Sequence, residues 1–376
     1  PNGASSCYQS LHIDTSKWRL AFEDFPVPED WPDFPHHAQL LQYFHDYVDH
    51  FGLRERITFE TAVTHCERLD DARWRVTLST GERRDYDAVV VANGHHWDPR
   101  LPEYPGTFDG YQVHSHHYRD PFDPFDFRGQ RVLVVGAGNS AMDIASELSQ
   151  RPLAERLFIS MRRGVWVLPK YMDGAPADKA VLPAWMPARL GRALARAKIK
   201  KTIGRMEDYG LPRPDHEPLD AHPSVSGEFL TRAGCGDIVA KGAIDRLDGD
   251  GVVFADGSRE QLDAIVWATG YNVTFPFLDQ EDLTPKRTPC RSTSAWSGPD
   301  GRTCSSSASP SPCPRSSTSP SSRASSSRRR SSVTTASRRE RRWSASSPRT
   351  SGSMPATSTT VRGIACRWTS TPTCAT

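Results

Sequence analysis

The stretch that decides the fold is Val132-Leu133-Val134-Val135-Gly136-Ala137-Gly138-Asn139-Ser140-Ala141-Met142-Asp143. Four apolar residues in a row predict a buried strand, and the two glycines that follow predict a tight turn into a helix. The spacing is G-x-G-x-x-A. In this pattern the glycines let the backbone approach a dinucleotide pyrophosphate, and the helix N-terminus faces its negative charge.

The residues after this stretch complete a strand–helix–strand unit. The helix carries apolar residues on one face, namely Ala141, Ile144, Ala145 and Leu148. The second strand is predicted over Arg156–Met161 and is followed by Arg162 and Arg163. A site that reads NADH would place an acidic residue here for the ribose hydroxyls. A guanidinium pairs instead with a 2′-phosphate, so the sequence favours NADPH. The alternative is that the two arginines are only an exposed strand end.

Two further apolar segments end in a small residue and glycine. The first is a predicted buried strand over Tyr86–Ala92 that ends at Asn93-Gly94. The second is Ile265–Trp267, followed by the candidate cofactor-binding residues Ala268, Thr269 and Gly270. Residues 252–254 and 263–267 are predicted to form a hairpin-like pair. Because the two segments bracket the nucleotide-binding unit, we expect one domain that is interrupted and then resumed.

Composition excludes several classes of protein. The net charge of the 376 residues is +2, which argues against a nucleic-acid partner. No apolar run reaches the roughly 18 residues of a membrane span, so we expect no membrane partner. The eight cysteines contain no C-x-x-C pair, which favours a reducing cytoplasm over a disulfide framework. The neighbouring histidines, such as His116 and His117, lack further ligands at metal-binding spacing, so no metal is expected. The basic stretch Arg189–Arg205 is interpreted as a solvated helix face.

The two ends of the chain are unusual. It begins Pro1-Asn2-Gly3 without an initiator Met, and we expect a fragment. Residues 286–376 are rich in Ser, Arg and Pro and contain no Leu or Phe, so disorder is expected there. Cys304–Pro314 is also what a one-nucleotide shift makes of GC-rich codons for Leu-Phe-Phe-Val-Gly-Phe-Ala-Gln-Pro-Leu-Pro. We therefore hypothesise that the tail is an out-of-frame translation, which sequencing of the locus would test.

Several motifs together resemble those of the flavin-containing monooxygenases, which belong to the class B flavoprotein monooxygenases. They occur in the family's order over residues 1 to about 285. The motifs are Ser10–Lys17, Asn93-Gly94-His95-His96-Trp97-x-Pro99, Phe108-x-Gly110-x-x-x-His114-x-x-x-Tyr118 and Ala268-Thr269-Gly270-Tyr271. The related Baeyer–Villiger enzymes have a linker fingerprint that ends in Trp-Pro. This chain has Tyr118-Arg119 at those positions.

The resemblance implies an α/β fold with two dinucleotide-binding, Rossmann-like domains. An FAD domain would comprise residues 1–105, without its own N-terminal G-x-G-x-x-G unit, and would resume over residues 263–285. The NADPH domain would span residues 106–262 and be inserted into it. Residues 286–376 would form the disordered tail.

The resemblance also implies the chemistry. NADPH would reduce FAD, and a C4a-hydroperoxyflavin would transfer one oxygen atom of O₂ to a soft nitrogen or sulfur centre of a small molecule. A homodimer is possible. Asp14 stands where the family places an Asn beside the flavin, and it is the candidate catalytic residue. The alternatives are a Baeyer–Villiger ketone monooxygenase and a non-catalytic fragment that no longer holds FAD.

The resemblance assigns roles to particular positions. The residues expected to contact FAD or the nicotinamide are Asp14, Thr15 and Val63. The residues expected to contact NADPH are Gly136, Gly138, Asn139, Ser140, Ala141, Met142, Asp143, Arg162 and Arg163. Phe108, Gly110, His114 and Tyr118 would brace the linker between the two domains.

Overall fold

The computed structural model describes residues 5–179 and 185–279, and all of them belong to one unit of mutually contacting chain. The predictions for residues 286–376, both the disorder and the frameshift, lie outside the described residues.

Five α-helices and three 3₁₀ turns are found in the described chain. The α-helices are Lys17–Leu20 (α1), His37–His50 (α2), Asn139–Leu148 (α3), Ala188–Ile203 (α4) and Phe229–Gly234 (α5). The 3₁₀ turns are Arg54–Arg56, Ala177–Lys179 and Met206–Tyr209. The start of α2 is stabilised by a capping box. The His36 ring accepts from the Ala38 N–H (3.3 Å), and the Gln39 side chain accepts from the His36 N–H (3.0 Å).

Fifteen strands are found in the same residues. They are Val63–Arg68 (β1), Trp74–Leu78 (β2), Arg83–Tyr86 (β3), Tyr111–His114 (β4), Arg131–Val135 (β5), Arg156–Ser160 (β6), Val167–Leu168 (β7), Tyr171–Met172 (β8), Ala175–Pro176 (β9), Ser224–Val225 (β10), Ile238–Lys241 (β11), Ile244–Leu247 (β12), Gly251–Phe254 (β13), Arg259–Gln261 (β14) and Ala264–Trp267 (β15).

The central sheet has five parallel strands in the order β11-β6-β5-β15-β4. Its core follows directly from the alternation of side chains along each strand. One face, with Val132 and Val134, packs against the buried side of α3. The other face, with Leu133 and Val135, packs against the antiparallel sheet β12-β13-β14. The predicted strand–helix–strand unit is therefore confirmed as β5-α3-β6.

The sheet corrects the prediction that residues 252–254 and 263–267 form a hairpin-like pair. β13 pairs with β14, and not with residues 263–267. β15 instead lies between β5 and β4, with Ala264 opposite Val132 on one side and Tyr111 on the other. Four buried apolar residues without a polar face suit the middle of a parallel sheet better than a hairpin. Residues 264–267, which the prediction assigned to the returning segment, therefore lie in the same sheet as β5 and β6.

The predicted strand over Tyr86–Ala92 is wrong. β3 ends at Tyr86, and residues 87–92 adopt no strand. Val90 is 87% exposed, although it lies in an apolar run. Within the described residues no strand pairs with this run, so nothing covers it and its backbone is not fixed in a sheet.

Residues after β15 return to the first part of the chain. The Arg100 N–H donates to the Gly270 carbonyl (3.0 Å), and the Cys66 N–H donates to the Phe277 carbonyl (2.6 Å). Phe277 and Leu278 pack on the small core of the β1-β2-β3 sheet. These contacts join the end of the described chain to residues 63–100.

Candidate nucleotide-binding site

The Gly-rich turn lies at the carboxyl end of β5. Gly136 has a φ of +143°, and a Cβ at this position would lie 2.3 Å from the Ala268 carbonyl oxygen. Only glycine fits there without displacing backbone. Gly138 caps α3 with no side chain, and nothing lies within 4 Å of its Cβ position. The first N–H groups of α3 therefore face an open approach, as anion binding at a helix N-terminus requires.

Asn139 begins α3 and is held from two sides. Its Oδ1 accepts from the Val225 N–H (3.0 Å), and its Nδ2 donates to Asp14 Oδ2 (2.6 Å). The Ser224 hydroxyl donates to the Ala137 carbonyl (2.6 Å). The structure thus brings Asp14, the candidate catalytic residue, beside the turn that we assign to NADPH.

The other predicted residues of α3 differ in what their side chains reach. Ser140 is partly exposed, whereas Ala141 and Met142 are fully buried in the core. Their side chains cannot touch a ligand, so only their backbone N–H groups remain available. Asp143 Oδ2 accepts from the Tyr8 hydroxyl (2.6 Å), and burial raises the pKa of this carboxyl to about 6.

The two arginines after β6 have different environments. Arg163 donates to both carboxylate oxygens of Asp215 (2.9 and 3.1 Å). The hydrogen bonds from His216 and Arg163 lower the pKa of Asp215 to about 2. Arg162 is exposed, and the structure records no ion pair for it within the described chain. Arg162 is therefore the guanidinium that is available to a 2′-phosphate, because Arg163 is already paired.

The linker residues follow β15 along its length, from Phe108 and Gly110 beside its start to His114 beside its end. Phe108 is buried, and a Cβ on Gly110 would lie 2.6 Å from both the Phe108 ring and the Asp263 carbonyl oxygen. His114 Nε2 lies 3.1 Å from the Gly270 carbonyl, and its Nδ1 accepts from the His116 N–H (3.0 Å). These two partners fix the neutral Nε2–H tautomer. Burial lowers the pKa of His114 to about 4.

The polar side chains around this linker also form hydrogen bonds. Tyr118 is fully buried, and its hydroxyl donates to Glu147 Oε2 (2.8 Å). The Thr269 hydroxyl donates to the Arg100 carbonyl (2.5 Å), and the Arg100 guanidinium donates to the Thr269 carbonyl (2.9 Å). Thr269 and Gly270 therefore bind the segment after residue 97, and Gly270 also binds the linker.

Thr15 and Val63 are not brought to the turn by any recorded contact. Thr15 is partly buried, and Val63 starts β1 and packs beside the Cys66 core. Sequence reasoning missed Tyr8 and Lys170, which contact the site from remote positions. Lys170 Nζ lies 3.5 Å from Asp14 Oδ1. Neither residue belongs to a motif, so nothing local in the sequence could have identified them.

The described residues contain neither a membrane-spanning helix nor a metal-binding cluster. No helix among them is long and apolar enough to cross a membrane. No group of three or more His, Cys, Asp or Glu side chains in that part of the chain is placed to hold a metal ion.

Comparison with known proteins places this geometry in a family. The family model described as "Flavin-binding monooxygenase-like" matches residues 1–287. Flavin-containing monooxygenase 5 of Homo sapiens is 36% identical over 296 residues, which cover 74% of this chain and 54% of that protein. Dimethylaniline monooxygenase [N-oxide-forming] 2 of Rattus norvegicus is 38% identical over 298 residues, with the same coverage of each. The chain spans about half the length of these curated relatives.

Among solved structures, S-allyl-L-cysteine S-oxygenase from Allium sativum superimposes with a TM-score of 0.50. It is 26% identical, and the match covers 75% of this chain and 52% of that one.

Proposed function

The chain belongs to the flavin-binding monooxygenase-like family, and we propose that it encodes the nucleotide-binding part of an NADPH- and FAD-dependent monooxygenase. The observation that carries the proposal is the Gly-rich turn after β5. There Gly138 leaves the N-terminus of the ten-residue helix α3 open. Arg162, which has no ion pair in the described chain, follows β6, the strand next to β5 in the sheet.

NADPH fits the residues that are present. The backbone N–H groups of residues 139–141 would hold the pyrophosphate, because the glycines leave room for its close approach. Arg162 would pair with the 2′-phosphate by charge-assisted hydrogen bonds. When bound, the nicotinamide would supply a hydride to the flavin. The protein's contribution is to orient the nucleotide on a rigid strand–turn–helix unit.

The described residues contain no second Gly-rich turn that could bind the FAD pyrophosphate in the same way. They contain one strand–turn–helix unit with the G-x-G spacing, and Asp14 is engaged by Asn139 and Lys170. The roles of Asp14, Thr15 and Val63 near the flavin remain proposals that rest on the family resemblance.

For the substrate we propose a small molecule with a soft nitrogen or sulfur atom, oxidised with O₂. The names of two relatives support this class, an N-oxide-forming dimethylaniline monooxygenase and an S-oxygenase of S-allyl-L-cysteine. A Baeyer–Villiger ketone monooxygenase is disfavoured by Tyr118-Arg119, which stands where the linker fingerprint of those enzymes ends in Trp-Pro.

NADPH consumption distinguishes the substrate classes. Purified protein supplied with FAD is assayed with a tertiary amine, a thioether and a cyclic ketone, each against a control without substrate. We expect faster NADPH oxidation and an oxygenated product with the amine or the thioether. Product from the ketone alone would replace the proposal by the Baeyer–Villiger alternative.

The second candidate function is a non-catalytic chain that no longer holds FAD. The exposed apolar run around Val90 favours it, since a folded FAD domain would be expected to cover such a run. The purified chain is then expected to carry little or no flavin. A stoichiometric absorbance band at about 450 nm, which belongs to the flavin itself, would contradict this expectation.

The organisation of the protein is proposed on the same basis. We propose an NADPH domain that begins near residue 106 and includes β15, inserted into an FAD domain that supplies residues 1–105 and the segment after β15. A cytoplasmic location and a homodimer are further proposals. Fractionation of cells and sedimentation of the purified protein test them.

A further inference from the structure

Lys170 lies between β7 and β8, and its ammonium group reaches the segment before α1. Its Nζ donates to the carbonyls of His12 (3.1 Å) and Ile13 (3.3 Å) and lies 3.5 Å from Asp14 Oδ1. The Nζ is 5.4 Å from the centre of the Phe34 ring. The side chain is only 16% exposed. A cation held by this many groups is fixed in position, and it faces Asp14 Oδ1, whereas Asn139 contacts Oδ2.

The orientation of the Asn139 amide determines what Asp14 must be. The Val225 N–H can only donate, so the atom of Asn139 that faces it is the carbonyl oxygen. The Asn139 NH₂ group therefore points at Asp14, 2.6 Å from Oδ2. This contact requires an acceptor at position 14, which a carboxylate oxygen provides.

The Lys170 ammonium group favours aspartate over asparagine at position 14. An asparagine at position 14 could accept from Asn139 with its oxygen, but its NH₂ group would then face the Lys170 ammonium. Two donors would oppose each other in a partly buried place. Aspartate offers an acceptor to both neighbours. Burial raises the pKa of Asp14, whereas Lys170, the Asn139 hydrogen bond and His222 oppose that rise.

We propose that Lys170 is a positioning residue for nucleotide binding, which acts through Asp14 on Asn139 and so holds the Gly-rich turn in the shape that accepts a dinucleotide pyrophosphate. The chain of contacts runs from Lys170 to Asp14 (3.5 Å), from Asp14 to Asn139 (2.6 Å), and from Asn139 to the first turn of α3. The inference rests on the proposed NADPH site and is independent of flavin.

A double-mutant cycle tests the proposal by calorimetric titration with NADP⁺ and with NAD⁺. Lys170→Met removes the cation from Asp14, and Asp14→Asn places a donor against Lys170. Each single variant is expected to bind both nucleotides about tenfold more weakly, a typical coupling between contacting residues. The double variant is expected to recover most of the affinity, because the new amide can then serve Asn139 without an opposing ammonium. Lys198→Met, at an exposed lysine paired with Asp173, is the matched control and should bind as the unmodified protein does.

Three results would overturn the proposal. The first is unchanged affinity in Lys170→Met. The second is a double variant whose loss of binding free energy equals the sum of the losses in the two single variants. The third is a loss for NADP⁺ alone, which would show that Lys170 contacts the 2′-phosphate directly. Thermal unfolding of the four proteins without nucleotide is measured alongside, and the same rescue is expected in Tm. If the unmodified protein binds neither nucleotide, the proposed function fails, but the Tm cycle still tests the coupling of positions 14 and 170.

Discussion

Acidification should destabilise the protein through His114, the last residue of β4. Its side chain is 4% exposed, its Nε2–H is directed at the Gly270 carbonyl, and its Nδ1 accepts from the His116 N–H. Protonation would add a hydrogen to Nδ1, where the His116 N–H already points. His114 therefore binds a proton less readily in the folded state than in the unfolded chain.

The magnitude follows from the two pKa values. Burial lowers the pKa of His114 from 6.5 to about 4. Because the folded pKa lies below the unfolded one, the stabilisation is complete above about pH 6.5 and is lost as the pH falls toward 4. Between about pH 7.5 and about pH 5 the linkage relation gives a loss of about 2 kcal/mol in the free energy of unfolding.

Other groups respond to the same change in pH, so the effect must be measured as a difference. The pKa of Asp143 is raised to about 6, so this carboxyl takes up its proton first in the folded state and opposes the loss. His116 and His96 lie near His114 around Tyr271, and burial lowers the pKa of both. These groups are common to the unmodified protein and to a His114 variant, and they cancel to first order.

The assay is urea unfolding, followed by circular dichroism at the two pH values. The variant is His114→Gln, whose amide can still donate to Gly270. The exposed His117, replaced by Gln, is the matched control. The unmodified protein and the control should each lose about 2 kcal/mol more than His114→Gln on acidification. Equal losses in all three proteins would refute the reasoning.

The nucleotide site gives two further predictions. Arg162→Ala should raise the Kd of NADP⁺ about tenfold or more and leave that of NAD⁺ unchanged, whereas Arg163→Ala, which removes an already paired guanidinium, should alter neither in calorimetry. The reverse pattern would contradict the assignment. Gly136→Ala should lower the free energy of unfolding by about 2 kcal/mol, because its methyl group would lie 2.3 Å from the Ala268 oxygen. Gly138→Ala should leave the Tm unchanged but weaken nucleotide binding. Equal losses of Tm in Gly136→Ala and Gly138→Ala would contradict the different roles assigned to the two glycines.

The local part of the fold could be predicted from the sequence, because it depends on short-range patterns. The run Val132–Val135, the two glycines after it and the apolar face of α3 specify β5, the turn and the helix without any other part of the chain. The same reasoning failed for Tyr86–Ala92. An apolar run shows that a segment is suited to a strand, but a strand also needs a neighbour to pair with. Val90 has none among the described residues.

The site depends on contacts that no local pattern encodes. The two arginines after β6 were equivalent in the sequence, and Asp215, more than fifty positions away, distinguishes them. Lys170 is 156 positions from Asp14 and belongs to no motif. The sequence could therefore supply the candidates for the site, whereas their roles follow from tertiary packing.

The position of β15 explains why two separate glycine motifs lie side by side. β5 leads through α3 to β6 on one side, and β15 lies on its other side, so the direction of the sheet's connections reverses between β5 and β15. In open parallel sheets a ligand binds at such a reversal, beyond the carboxyl ends of the strands. Gly136 and Ala268 follow these two strands and pack in direct contact. The segment that the sequence suggested as the return to a second domain therefore lies against the Gly-rich turn, and in the proposed NADPH site it would line one side of the nucleotide.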